Sequence, residues 1–218
     1  MSDYFPPSHL EDEHFQASEA TVITNVNPPV QRVWRRRGLL PKSDGWAMFS
    51  PWQLLQMSLR EVMREMGMPH VDILVNIDPI VLQAQAWAAT YPSSINYMDG
   101  LDPELHPRKS FIDPPRSRYA WARTPWDDSF DLKLATDLKS LGEILAEDDR
   151  ELSNGIALID LKALGLGVAE RAGTALWNVR AGPGDHDIGL ALTAASKGDK
   201  AAQEAVEAIG YEWDASKL

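Results

Sequence analysis

The chain has 218 residues, enough for one large domain or two small ones, and a formal net charge of −11 that does not suit a surface coated by a polyanion. It has no cysteine, which excludes disulfides, thiolate metal sites and cysteine nucleophiles together. No apolar run approaches the roughly 18–20 residues that a membrane-spanning helix needs.

Residues 1–14 are acidic and carry Pro6 and Pro7. They lack the basic and then apolar layout of a signal peptide, and read as a disordered lead-in. The expected location is therefore cytoplasmic, at the bacterial nucleoid. A helical pattern starts near Phe15, with Ser18 as its expected N-cap and Ala20 and Ile23 on one face. Asn25-Val26-Asn27 is a turn, because asparagine tolerates left-handed backbone. Asn27 then caps a second helix with Pro28 in its first turn, where a missing N–H costs nothing. That helix is expected to run to about Arg37 and to end on Gly38. Helix, short turn, helix is an arrangement that places its second helix in the major groove of DNA.

After Leu39-Leu40-Pro41, the stretch Lys42-Ser43-Asp44-Gly45 reads as a turn from which residues 46–49 return as a strand, together a wing hairpin. Ser50 and Gln53 form a capping-box pair, Pro51 stands at the first helical position and Gly67 ends the helix. Leu55, Leu59, Val62 and Met66 give that helix an apolar face. Helices over 69–76 and 79–90 follow. Residues 91–117 hold Pro92, Pro103, Pro107, Pro114 and Pro115 and read as a linker.

Residues 118–218 read as a separate α/β domain. Strands are expected over 119–123, 155–159 and 174–179. Phe130, Leu134, Leu138, Leu141 and Leu145 recur at helical spacing, and Asp160 can cap a helix over 161–172. Gly182-Pro183-Gly184 breaks the chain before an alanine-rich helix over 191–209. The fold class is thus mostly α with minor β: an N-terminal winged helix-turn-helix, spanning 15–90 with its following helices, plus a small α/β C-terminal unit.

Charge is unevenly placed. Between Phe15 and Gly67 there are seven basic and four acidic side chains, a balance of +3 against −14 for the rest. Four of the basic residues, Arg32, Arg35, Arg36 and Arg37, fall within six positions. A basic module on an acidic chain can hold a polyanion locally while the remainder repels it. On charge alone, a solvated helix face is the equal alternative.

The stretch from Phe15 to about Met68 resembles the DNA-binding domain of the MerR family of transcriptional regulators. Asn25-Val26-Asn27 matches the family's turn, and Arg32-Val33-Trp34 its Arg-Tyr-Tyr. Gly38-Leu39-Leu40 matches its Gly-Leu-Leu, and Gly45-Trp46-Ala47-Met48-Phe49-Ser50 its wing and the start of the next helix. Ala47 stands where the family's wing carries an arginine, and no long heptad helix follows residue 68. The resemblance implies a winged helix-turn-helix whose second helix enters the major groove. Arg32, Arg35 and Arg36 would touch phosphates or base edges, with Gln31 and Lys42 as further contacts. Arginine suits both roles as a forked donor for phosphate or for guanine O6 and N7. Arg37 can instead complement the negative end of its helix. Trp34 and Phe49 fit the core of such a domain, and Trp46 is expected to anchor the wing or to touch the sugar-phosphate edge.

No active site is legible. Asp185-His186-Asp187 is a compact set of ligand types, but adjacent residues in a glycine-proline loop rarely share one metal. Gly165-Leu166-Gly167 falls inside a helical pattern, not after a strand as a phosphate loop requires. Neither a metal nor a cofactor is expected, and the chain reads as a non-enzyme. The expected partner is double-stranded DNA, bound sequence-specifically by a transcriptional regulator. Itself or another protein is the candidate partner for residues 118–218. Two other readings stay open: a phage-type nucleoprotein-assembly factor, such as an excisionase or small terminase subunit, and a protein-interaction module built on a degenerate helix-turn-helix.

Overall fold

The computed structural model describes residues 9–40, 47–68, 77–98, 101, 103, 112–123, 132–147, 155–180 and 200. In chain order the elements are β1 (His9–Asp12), β2 (Phe15–Gln16), α1 (Ala17–Thr24), α2 (Pro28–Arg36), β3 (Met48–Phe49), α3 (Pro51–Glu65) and α4 (Asp78–Ala89). Then come β4 (Ile95–Tyr97), β5 (Tyr119–Arg123), β6 (Lys133–Ala135), α5 (Leu138–Glu147), β7 (Ile156–Asp160), α6 (Leu161–Ala172) and β8 (Trp177–Arg180). The architecture is mixed α/β with helix predominant. No described helix is long and apolar enough to cross a membrane.

Two compact units divide the chain. One takes residues 12–95 and 112–177, the other 1–11, 96–111 and 178–218. This corrects the expected split into an N-terminal 15–90 domain and a C-terminal one. The helix over 161–172 belongs with α1–α4, because α6 packs most extensively on α4 and also lies against α1 and α3. The smaller unit is built on a three-stranded sheet in the order β1-β8-β4, each strand having most of its residues there. Residues 9–12 are therefore a strand and not a disordered lead-in. An Arg180–Glu11 ion pair and an Asn96–Asn178 side-chain hydrogen bond of 3.1 Å fasten that sheet.

The larger unit has its core around α3, whose Leu54, Leu55, Met57, Leu59 and Met63 are fully enclosed. The ends of α3 form as its sequence dictates. Ser50 Oγ accepts from Gln53 N–H and Gln53 Oε1 accepts from Ser50 N–H. At the other end Gly67 adopts φ +71°, Gly67 N–H donates to Arg64 C=O and Met68 N–H to Met63 C=O. Beside α3, α4 presents Ile80, Val81, Ala84 and Ala88, and α6 presents Leu161, Leu164, Val168 and Ala169. Small residues bring α4 and α6 together. A Cβ on Gly165 would sit 2.3 Å from Ala84 C=O and 2.8 Å from Ala88 N.

A second, antiparallel sheet has the order β6-β5-β7, with β5 paired to β7 in the register Tyr119↔Asp160 through Arg123↔Ile156. One set of alternating side chains, Tyr119, Trp121 and Ala135, packs with Leu141 of α5. The other set, including Ala120, Ala122 and Ile159, is buried as well. The helical spacing read from Phe130 onward holds only from Leu138, since Leu134 lies in strand β6. Asp137 sets that boundary: its Oδ1 accepts from Ser140 N–H at 2.7 Å and caps α5.

The proline-rich 91–117 stretch is only partly a linker. It contains β4, and its end is tied to α4 where Gln83 Oε1 accepts from the N–H groups of Arg116 and Ser117. The indole N–H of Trp87 donates to Ser117 C=O as well. The strand expected from 174 starts at Trp177. The expected helices over 69–76 and 191–209 lie outside the described residues, apart from helical Lys200. The turn over 42–45, the Gly-Pro-Gly break and Asp185-His186-Asp187 lie outside them too.

Asp160 joins β7 to α6. Its Oδ1 accepts from the N–H groups of Lys162 and Ala163, and its Oδ2 lies 2.9 Å from Arg118 Nη2. Burial pushes this carboxyl up, but the Arg118 guanidinium and the two helix N–H groups outweigh it, so it titrates below its ordinary range. A depressed folded-state pKa contributes stability that is present above the unfolded value, about pH 4, and lost as pH falls through the folded value. Asp160→Asn keeps a capping oxygen without the charge. It should be less stable at neutral pH and lose less stability than the parent as the medium is acidified below about pH 4, as read from urea midpoints across a pH series. The close approach of α4 and α6 gives a second expectation. Gly165→Ala should destabilise by about 1–3 kcal/mol, whereas Gly142→Ala, in open space on α5, should stabilise by up to about 1 kcal/mol. Equal midpoints for the two variants would contradict the backbone contact.

Candidate nucleic-acid interface

The helix pair α1 and α2 is assembled from local hydrogen bonds. Glu19 Oε2 accepts from Gln16 N–H at 2.6 Å, so α1 is capped at Gln16 and not at Ser18. At its far end Asn25 takes a left-handed conformation, φ 62°, and its N–H donates to Thr21 C=O. Thr24 Oγ1 donates to Ala20 C=O and accepts from Val26 N–H, which folds the turn back on α1. Asn27 Oδ1 accepts from Val30 N–H at 3.2 Å and opens α2, with prolines filling its first two positions. At the C-terminus Gly38 has φ +76°, Gly38 N–H donates to Arg35 C=O and Leu39 N–H to Trp34 C=O. This pair of bonds closes the helix, as the glycine led one to expect.

The inner face of α2 is Gln31 and Trp34, both buried. Gln31 is 2% exposed, and its amide nitrogen donates to Val26 C=O at 2.8 Å, to Thr21 Oγ1 at 3.0 Å and, more weakly, to Ala17 C=O at 3.3 Å. Gln31 therefore cannot serve as a contact to DNA. The sequence carried the signal: Gln31 stands three positions before Trp34, which puts both on one helical face.

Arg35 is half-buried at the flank of α2. Its guanidinium carbon lies 4.5 Å from the ring centroid of Phe49, and its buried Nε has no hydrogen-bond acceptor among the described residues. Burial lowers its pKa from the ordinary value, but an arginine remains protonated. Strand β3, which carries Phe49, pairs antiparallel with β2 in the register Phe15↔Phe49 and Gln16↔Met48. The expected wing strand thus finds its described partner in the segment before α1, while Leu39 and Leu40 form a bend. Lys42 and Trp46 lie outside the described residues.

Arg32 and Arg36 point outward, and neither forms an ion pair among the described residues. With Pro29, Val33 and Arg35 they line a shallow open depression of about 530 Å³, and no carboxylate borders it among the described residues. Arg37 is exposed and is the C-cap residue of α2. Behind this face, Arg171 of α6 donates from Nε to Ile23 C=O at 2.5 Å, bracing the end of α1. That brace had no signature in the sequence, because 148 positions separate its partners.

Gln31→Ala should lower stability by about 1–3 kcal/mol, because the buried carbonyl of Val26 and the Thr21 hydroxyl lose their donor. Arg32→Ala should change stability by no more than about 0.5 kcal/mol. Thermal or urea unfolding of the two variants separates them, and an equally small change for both would show that the buried amide holds nothing in place. Compared with known proteins, the chain matches no protein-family model and no curated sequence.

Proposed function

We propose that the chain binds double-stranded DNA sequence-specifically through a winged helix-turn-helix made of α1, α2 and the β2–β3 ribbon, and that it acts as a MerR-like transcriptional regulator. The observation that carries the reading is the two-sided division of α2. Its inner face is fixed by Gln31 and Trp34, while Arg32 and Arg36 stand outward without ion pairs among the described residues. No acidic residue occurs between positions 20 and 43, so nothing nearby in sequence cancels their charge.

A guanidinium in that position forms forked hydrogen bonds to phosphate or to a guanine edge. Phosphate contacts set register and orientation, and base-edge contacts supply sequence preference. Arg35, held over Phe49, has less freedom than its neighbours. It suits a phosphate at the margin of the depression, where a fixed donor loses little entropy on binding. The acidic remainder of the chain opposes contact with DNA elsewhere and so confines the polyanion to this face. The regulatory role itself rests on the likeness of residues 15–68 to the MerR pattern.

Affinity for duplex DNA measured over a salt series tests the interface. Arg32→Ala and Arg36→Ala should each weaken binding and flatten the slope of log K against log salt by about 1 for every phosphate the variant no longer touches. Arg35→Ala should do the same and also lower stability by about 0.5–1 kcal/mol, because the guanidinium no longer packs on the Phe49 ring. Unchanged affinity and slope in all three would refute the assignment. Genome-wide mapping of bound sites decides the role: promoters support a regulator, while attachment or packaging sites replace it with nucleoprotein assembly.

A further inference from the structure

The outward face of α2 has a composition that goes further than its charge. Pro29 and Val33 are four positions apart, and so are Arg32 and Arg36. Each pair forms one row along the helix, and the rows lie side by side because 29 and 32, and 33 and 36, are three apart. One row is apolar and the other is guanidinium. Four residues rise about 6 Å along a helix, close to two base-pair steps of about 3.4 Å each.

Neither row contains a hydrogen-bond acceptor: proline and valine side chains have no polar atom, and arginine only donates. The one amide-bearing residue of α2, Gln31, is turned inside. At the helix start, the side-chain oxygen of Asn27 accepts from Val30 N–H, which turns it back over the first turn of its own helix. The amino groups of adenine and cytosine in the major groove need an acceptor to be read. Guanine N7 and O6 need a donor, and the thymine methyl needs an apolar surface.

We infer that α2 reads DNA only through acceptor atoms and methyl groups, with guanine opposite the Arg32–Arg36 row and thymine opposite the Pro29–Val33 row. Val33 is then a specificity-determining residue that contacts the thymine methyl. This rests on the proposed binding of duplex DNA. It adds the base class that the helix selects and the groups on each base that it does not sense.

The test is selection of binding sites from a random duplex library with the full chain, followed by single-base analogues in the selected core. Positions under α2 are those whose preference changes in Arg32→Ala, Arg36→Ala or Val33→Ala. At these positions 7-deazaguanine for guanine should cost about 5- to 100-fold in affinity. Deoxyuridine for thymidine should cost about fourfold at one or two positions, and this loss should vanish in Val33→Ala. Replacing adenine by the purine that lacks the 6-amino group should cost nothing there. Val33→Asn, which adds an acceptor at a half-exposed site, should shift the preference at its position from thymine toward adenine.

A required adenine amino group under α2, tolerance of deoxyuridine throughout, or an unshifted preference in Val33→Asn would each overturn the inference. Duplex binding with no enriched sequence would overturn it too, while leaving DNA binding in place. No binding to any duplex would instead remove the reading beneath it.

Discussion

The amide nitrogen of Gln31 reaches oxygens on α1 and on the turn that follows it, at 2.8–3.3 Å. The direction of everything else on α2 follows from that. A buried amide left without partners is costly, so rotation of α2 about its axis is opposed by hydrogen bonds as well as by the packing of Trp34. With Gln31 and Trp34 fixed inward, the 3.6-residue period sends Pro29, Arg32, Val33 and Arg36 to the opposite side. Arg35 falls between the two faces, and there its guanidinium lies on Phe49. A buried polar side chain thus governs the orientation of a set of exposed basic ones.

Support from behind comes from α6. Small residues let α6 approach α4 until Gly165 meets the α4 backbone, and from this position Arg171 reaches the last turn of α1. The Ile23 carbonyl it meets belongs to the final turn of a helix, where carbonyls lack intrahelical partners and a cation is favourable. The ribbon of β2 and β3 supplies a third restraint by pinning Phe49 beside the start of α1. The proposed interface is therefore not a free-standing helix pair. It is the surface of a larger core to which α3, α4 and α6 all contribute.

Much of this was legible where the physics is local. The Ser50–Gln53 capping box, the Asn27 cap and the closing glycines at 38 and 67 each involve residues within a few positions of one another. Their hydrogen bonds form as the sequence suggests. Strand β5 and the cap at Asp160 were equally readable. Long-range matters were not. Leucine periodicity through Leu134 mimicked a helix, because a strand residue can fall in phase with the helix that follows it. The position of α6 against α1–α4 depends on shape at Gly165, and the β2–β3 pairing joins residues more than thirty positions apart. Gln31 lies inside, although a polar residue beside arginines suggests a surface, and its helical phase with Trp34 is the feature that points inward.

The Arg171–Ile23 hydrogen bond has a consequence for the order in which the molecule is made. Chains emerge from the ribosome N-terminus first, and domains generally fold as units. Here α1 and α2 emerge before the helix that braces them, whose arginine is encoded 148 positions after its partner on α1. Contacts between distant positions form late and slow folding, because loop closure precedes any gain from the contact. The arginine face is thus exposed on the nascent chain well before its support exists, and it acquires its final bracing only once α6 has emerged in turn.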